Sequence, residues 1–164
     1  LVDTMKQGTK LGFDGRYKKL EPAVKSAFNL PTMTRYAVGL VWTKATPAEQ
    51  QQLTTAFSNF SIANYAKNFA AYDGETFEVT GEKTTPSGVI VETKLTPKGA
   101  EPVALNYLMR ANEKGQYRII DVFLDGSISE LATRRAEFSS IVQQDGIPAL
   151  VNSLGEKSKP MGPS

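Results

Sequence analysis

The chain of 164 residues contains no cysteine and no histidine. With both residue types missing there is no zinc site of the usual kind, no thiol nucleophile, no histidine triad or imidazole proton shuttle, and no disulfide. No metal and no cofactor is therefore expected, and no catalytic residue is assigned. Absence of cysteine fits an oxidising compartment reached without disulfides, and equally the cytosol. No run of about 18 apolar residues occurs, so no helix is expected to cross a bilayer. The first residue is Leu1 rather than Met, which points to a processed or trimmed N-terminus, of which a removed signal peptide is one form.

What is present is an ordinary globular composition, 40% hydrophobic and 22% charged, with a net charge of +2. A chain of this length makes one domain that buries roughly two thirds of its unfolded surface. The charge is uneven. The first 44 residues carry eight Lys or Arg against three acids, and the remainder eleven against fourteen. Such a bias favours an anionic partner such as a lipid headgroup or membrane surface, or simply a solvated helix face. No basic run is interleaved with aromatics at a nucleic-acid motif spacing, so no nucleic-acid partner is expected.

Along the chain, Leu1 to about Lys10 reads as a helix end broken by Gly8 and Gly12. Tyr17, Leu20, Val24 and Phe28 recur at helical spacing, with Pro22 dividing the segment into two short helices. Pro31 suits the first turn of a helix carrying Met33, Tyr36, Ala37, Leu40 and Val41 on one face, and Gly39 would allow a close approach. Thr46-Pro47-Ala48-Glu49 is a strong helix start: a hydroxyl at the N-cap, proline first and a carboxylate at the third position. This helix is expected to reach Tyr72, with Leu53, Phe57 and Phe60 on one stripe and Ile62, Tyr65, Phe69 and Tyr72 nearly opposite. It is either bent near Ser61 or apolar on two faces, as deep burial or a cavity wall would require.

After Gly74 the period changes to two. Strands are expected at about Glu75 to Glu82, Gly88 to Leu95, Pro102 to Ala111 and Tyr117 to Leu124, joined by turns rich in Pro, Gly and Asn. The expected fold is α+β: a four-stranded antiparallel meander covered on one face by helices, with an apolar cleft between sheet and helices. Ser127-Ile128-Ser129-Glu130 offers a capping box, with Ser129 as a rival cap, for a closing helix with Leu131, Phe138, Ile141 and Val142 inward. Arg134 and Arg135 flank that stripe, either snorkelling and pairing with Glu130 or Glu137, or meeting an anionic headgroup. A last short helix carries Leu150, Val151 and Leu154. The domain is expected to span residues 1–155, with a flexible tail at 156–164.

The block Ala45 to Gln50 (ATPAEQ), the aromatic helix ending in Tyr72-Asp73-Gly74-Glu75-Thr76-Phe77, and the closing IIDVFLDGSIS with Arg135-x-x-Phe138-x-x-Ile141 and Gly146-Ile147 resemble the MlaC family. Its members are periplasmic phospholipid-binding proteins, also known as toluene-tolerance auxiliary components. The resemblance covers roughly Leu30 to Leu154 and is greatest to the hopanoid-associated branch, HpnM. Two departures stand out. The turn Asp125-Gly126-Ser127-Ile128-Ser129 is one residue longer than the family's acid-Gly-Val-Ser, which bears on the entry angle of the closing helix. The sequence around Val41-Trp42 lacks the tyrosines often found before the ATP block.

The resemblance implies a periplasmic carrier that binds acyl or polycyclic lipid tails, phospholipid or hopanoid, in an apolar cleft. It also implies shuttling between an inner-membrane ABC-type lipid transporter and an outer-membrane partner, in support of outer-membrane lipid asymmetry. At about 0.8 kcal/mol per buried CH₂, a chain of about fifteen carbons gains on the order of 12 kcal/mol before the costs of binding. Specific polar contacts are then unnecessary for affinity. The expected lining is Tyr65, Phe69 and Tyr72 from the long helix and Val91, Leu105, Tyr107, Met109 and Phe123 from the sheet, closed by Leu131, Phe138, Ile141 and Leu150. Arg134 and Arg135 are expected near the headgroup. Each lining residue also fits plain core. The rival reading is a small isomerase or dehydratase using Asp121, a lone acid amid Ile119, Ile120, Val122 and Phe123, whose alternative is a structural cap or ion pair. A third is an interaction module with a filled core.

Overall fold

The computed structural model describes residues 8–68 and 76–159. In chain order they form α1 (Gly8–Ala27), α2 (Leu30–Val38), α3 (Val41–Lys44), α4 (Pro47–Asn68), β1 (Thr76–Thr85), β2 (Gly88–Thr96), β3 (Val103–Ala111), β4 (Tyr117–Leu124), β5 (Ile128–Ser129), α5 (Glu130–Asp145) and α6 (Ile147–Lys157). None of these helices is long and apolar enough to cross a membrane.

Local chemistry accounts for most of the boundaries. At the start of α4 the Thr46 amide donates to Glu49 Oε1 at 3.0 Å and the Glu49 amide donates to Thr46 Oγ1 at 3.1 Å, so two otherwise orphaned donors are satisfied reciprocally. Asn29 caps α2 by accepting from the Thr32 amide at 3.2 Å. Gly39, at φ 72°, ends that helix. The chain then restarts as α3, and Leu40, expected on the inner face, is 83% exposed because the break at Gly39 rotates it off the helical stripe.

The division expected at Pro22 does not occur. Helix α1 is interrupted at Gly12 (φ 68°, ψ 176°), one of the two glycines expected to break it, and runs on through the proline. A proline inside a helix costs about 3 kcal/mol. Leu20 and Val24, two residues either side of it, are fully buried, and burying each contributes about 2 kcal/mol. Continuity of the helix is what keeps both in the core.

The helices form one layer and hold the core. Helix α4 packs against α1, α2 and α6, and Leu53, Phe57, Phe60, Ile62, Ala63 and Ala66 are all buried along it. It is therefore apolar on two faces, because helices flank it on several sides. Phe57 and Phe138 meet edge to face, with centroids 6.2 Å apart, and Met33, Leu131, Leu150 and Leu154 close the cluster.

The second layer is an antiparallel meander in the order β1-β2-β3-β4-β5. It has five strands rather than the four expected. Asp125 (φ 52°) and Gly126 (φ 81°) make a tight reversal, the Ser127 amide donates to Leu124 O at 3.2 Å, and Ile128 and Ser129 pair back onto β4. The Asp-Gly pair thus closes a hairpin before the helix begins. Ser129, not Ser127, is the N-cap of α5 and accepts from the Ala132 amide at 3.1 Å. At the far end α6 continues two residues beyond Gly155, to Lys157.

Helices α1, α2 and α5 all pack on β4, and the Asn29 amide donates to Ile119 O at 2.8 Å. Strands β1 and β3 contain no buried residue, and Thr93 is the only one in β2. The expectation that helices cover one face of the sheet therefore holds at β4 and weakens toward β1.

Candidate functional site

Register decides which side chains share a face. Val91 pairs with Tyr107, Thr93 with Leu105 and Leu95 with Val103, and Phe77 pairs with Leu95 and Val79 with Thr93. These residues, with Met109, form one face of the sheet. Phe77 and Tyr107 meet edge to face at 6.5 Å. The face is apolar yet only partly covered: Phe77 is 43% and Val79 66% exposed. Its one buried polar side chain, Thr93, satisfies its hydroxyl by donating to Leu105 O.

On β4 the expectation requires a correction. Between Leu108 and Met109 the pairing shifts from Asp121 to Ile119, leaving Ile120 as the extra residue of a β-bulge. A one-residue slip exchanges the faces of a strand. Val122 consequently pairs with Tyr107 and Leu124 with Leu105, whereas Phe123 pairs with Asn106. Phe123 therefore lies on the face opposite Tyr107, and Val122 and Leu124 take the place expected of it.

Within the helical layer, on the Tyr65 side, lies a narrow seam. Tyr65 of α4 packs its ring against Phe28, centroids 5.7 Å apart. With Val24, Met33, Phe57, Phe60, Ser61, Asn64 and Glu130 these rings line a cavity of about 20 Å³, room for about one water. The described residues do not delimit the expected cleft for a lipid tail. Burial pushes the Tyr65 and Tyr107 hydroxyls upward in pKa, and the nearby Glu130 carboxylate adds to both. Glu130 is itself raised, chiefly by burial and then by Asp121, with Arg134 opposing. Tyr65, Tyr107 and Glu130 thus act on one another electrostatically across the helical layer and the sheet.

Arg134 lies one helical turn beyond Glu130. Its guanidinium stacks over the Phe60 ring at 5.0 Å, its Nη1 is 3.3 Å from Glu137 Oε2, and its Nε is buried without a hydrogen-bond partner. Arg135 instead faces α2. Its Nε donates to Tyr36 O at 2.8 Å, and its side chain runs so close to Gly39 that a Cβ there would sit 3.2 Å from Cδ. The two arginines do not converge on one point.

Of the other expected lining residues, Leu131, Phe138 and Leu150 are buried in the helical core, with Ile141 packed against it. Phe69 and Tyr72 lie outside the described residues. Tyr65, Val91, Leu105, Tyr107 and Met109 are the ones brought to the seam and the open face. Asp121 is a structural cap: Oδ1 accepts from the Val122 amide at 2.8 Å and the Leu131 amide at 3.2 Å, and Oδ2 accepts from the Ser129 hydroxyl at 2.5 Å.

Sequence reasoning missed Glu130, Phe28, Phe77, Val122 and Leu124. Glu130 reads in the sequence as a capping-box acid or as an ion-pair partner of Arg134 and Arg135, and neither reading marks it as a neighbour of the tyrosines. The bulge that selects Val122 over Phe123 has no compositional mark.

The fold resembles that of the phospholipid-binding protein from Ralstonia solanacearum, solved in complex with a phospholipid, with a TM-score of 0.81 and 23% identity over 96% of this chain and 89% of that one. Residues 1–156 match the family model described as MlaC protein, and the chain belongs to the MlaC family.

Proposed function

We propose that this protein is a phospholipid-binding carrier of the periplasm, which holds lipid tails against the open face of its sheet. The observation that carries the reading is the apolar face of β1 to β3, where Phe77, Leu105, Tyr107 and their neighbours contribute no buried hydrophobic residue. Apolar surface left partly in water gains about 25 cal/mol per Å² when covered, and an acyl chain is the ligand that needs nothing else from it. The phospholipid in the structurally similar Ralstonia protein supports the same reading, as does family membership.

Further steps belong to the proposal. The carrier accepts its lipid from one membrane-bound component and delivers it to another, between the inner and outer membranes, and the cargo class extends to polycyclic hopanoids as well as phospholipids. Arg134 and Arg135 remain the proposed headgroup-proximal cations. The catalytic reading is disfavoured because both carboxylate oxygens of Asp121 are engaged in holding the start of α5. No covalent chemistry is then assigned to the site.

Mass spectrometry of lipid extracted from natively purified protein tests the reading. Co-purifying lipid is expected, with loading sharply reduced by Leu105→Asp and unchanged by Asp121→Asn. Protein that carries no lipid and takes none from phospholipid vesicles would refute it.

A further inference from the structure

A groove of about 520 Å³ lies where the β3–β4 hairpin meets the junction of α1 and α2, lined by Asn29 and Thr32 on one side and by Arg110, Lys114, Gln116 and Arg118 on the other. Glu113 is the one carboxylate in its wall. Depressions of about 340 and 130 Å³ share Arg110 as a wall, so the concave surface extends beyond the main groove on both the β1–β2 turn side and the α2–α5 side.

The two arginines are held rigidly, and by neutral partners. Arg110 Nε donates to Ser87 O and its Nη1 to the Tyr36 hydroxyl, each at 3.0 Å. Arg118 Nη1 donates to Lys25 O at 3.3 Å and to Ser26 O, and its Nη2 to Gln116 Oε1 at 3.2 Å. Among the described residues, neither arginine nor Lys114 makes an ion pair with a carboxylate. Carbonyls and amides fix the guanidinium planes without neutralising them, so their ordering entropy is already lost before any ligand arrives. The groove therefore presents three unneutralised cations with two of them preset in orientation.

We propose that this groove binds an acidic, extended segment of a partner protein. The inference is independent of the lipid reading and uses a different surface. The concavity favours a polypeptide over a bilayer, since the cations border a groove walled on its far side by Asn29 and Thr32 rather than a flat patch. The wall also carries the Thr32 hydroxyl and the side-chain NH₂ groups of Asn29 and Gln116, donors that match peptide carbonyls as well as carboxylates, while the amide oxygens are engaged within the wall itself. Carboxylates of the segment pair with Arg110, Arg118 and Lys114, and its backbone runs along the amide-bearing wall.

Fluorescence anisotropy with a labelled peptide of alternating Glu and Ser tests this on the intact protein. Binding is expected to weaken as salt rises. Lys114→Glu, at an exposed hairpin position, should weaken it about tenfold, as expected for reversing one charge near a surface carboxylate. Lys98→Glu, at the opposite end of β3, should leave it unchanged, and Arg118→Gln should weaken it with an unaltered circular dichroism spectrum. Lipid content of Lys114→Glu should match the parent, so failure here is distinct from failure of the carrier reading. No peptide binding, or equal effects of Lys98→Glu and Lys114→Glu, overturns the proposal. It is also overturned if phosphatidylglycerol vesicles bind through Lys114 while the peptide does not, or if inorganic phosphate fully displaces the peptide at equal concentration.

Discussion

Asp121 joins the sheet to the closing helix, and its replacement gives a graded test of that joint. The carboxylate accepts three hydrogen bonds, from Val122, Ser129 and Leu131. Hydrogen bonds to a charged group contribute about 1.5–3 kcal/mol each, and a buried amide left unpaired costs about 1–3 kcal/mol. The three share one acceptor group and do not add fully, which puts Asp121→Ala at about 4 kcal/mol. Asp121→Asn keeps a carbonyl oxygen for the two amides and turns its NH₂ toward the Ser129 hydroxyl, so it should cost about 1 kcal/mol. For a domain of this size each kcal/mol lowers Tm by about 2–4 °C. The expected losses are about 12 °C for Ala and about 3 °C for Asn, measured by thermal and urea unfolding at neutral pH. Equal losses for the two variants, or an Ala variant within about 1 kcal/mol of the parent, would show that the carboxylate does not hold the start of α5.

Three further outcomes follow from other positions. Glu130 has a raised pKa in the folded protein, so folding favours its protonated form and its contribution to stability falls as pH rises from the ordinary carboxylate value of about 4.3. Glu130→Gln should therefore raise Tm at neutral pH, with the difference shrinking toward pH about 4; a difference constant across that range would contradict the assignment. A Cβ on Gly88 (φ 141°) would lie 2.3 Å from Met109 O, whereas one on Gly99 (φ 72°) meets nothing within 4 Å. Gly88→Ala should then cost more than about 3 kcal/mol and Gly99→Ala about 1 kcal/mol in urea titrations. Thr46→Ala should cost about 1 kcal/mol through loss of the α4 cap, and Thr46→Ser close to none.

Much of this architecture was legible in the chain. The cap at Thr46 and Glu49, the change of period after Gly74 and the hairpin turns are local signals, and local chemistry produces them. What escaped depended on partners distant in sequence. Pro22 lies inside a helix because Leu20 and Val24 are anchored in the core, which no local scale records. Asp125-Gly126 is compatible both with a strand-to-helix turn and with a hairpin, and the pairing of Ile128 and Ser129 with β4 decides between them. The candidate site was half legible for the same reason. Alternation correctly grouped Val91, Leu105, Tyr107 and Met109, but the extra residue at Ile120 exchanged Phe123 for Val122 and Leu124. Glu130 reads in the sequence as a cap and as a partner for the arginines, and neither role records its partial burial near the two tyrosines.

The concentration of the core in the helical layer bears on how the sheet can deform. Because no side chain of β1 is buried and those of β3 are at most half-buried, flattening or coiling those strands disturbs little of the close-packed interior. Strand β4, tied to three helices and to the start of α5, behaves as the clamped edge of a cantilever, and compliance increases from it toward β1. The far strands can thereby change curvature while the helices keep their shape.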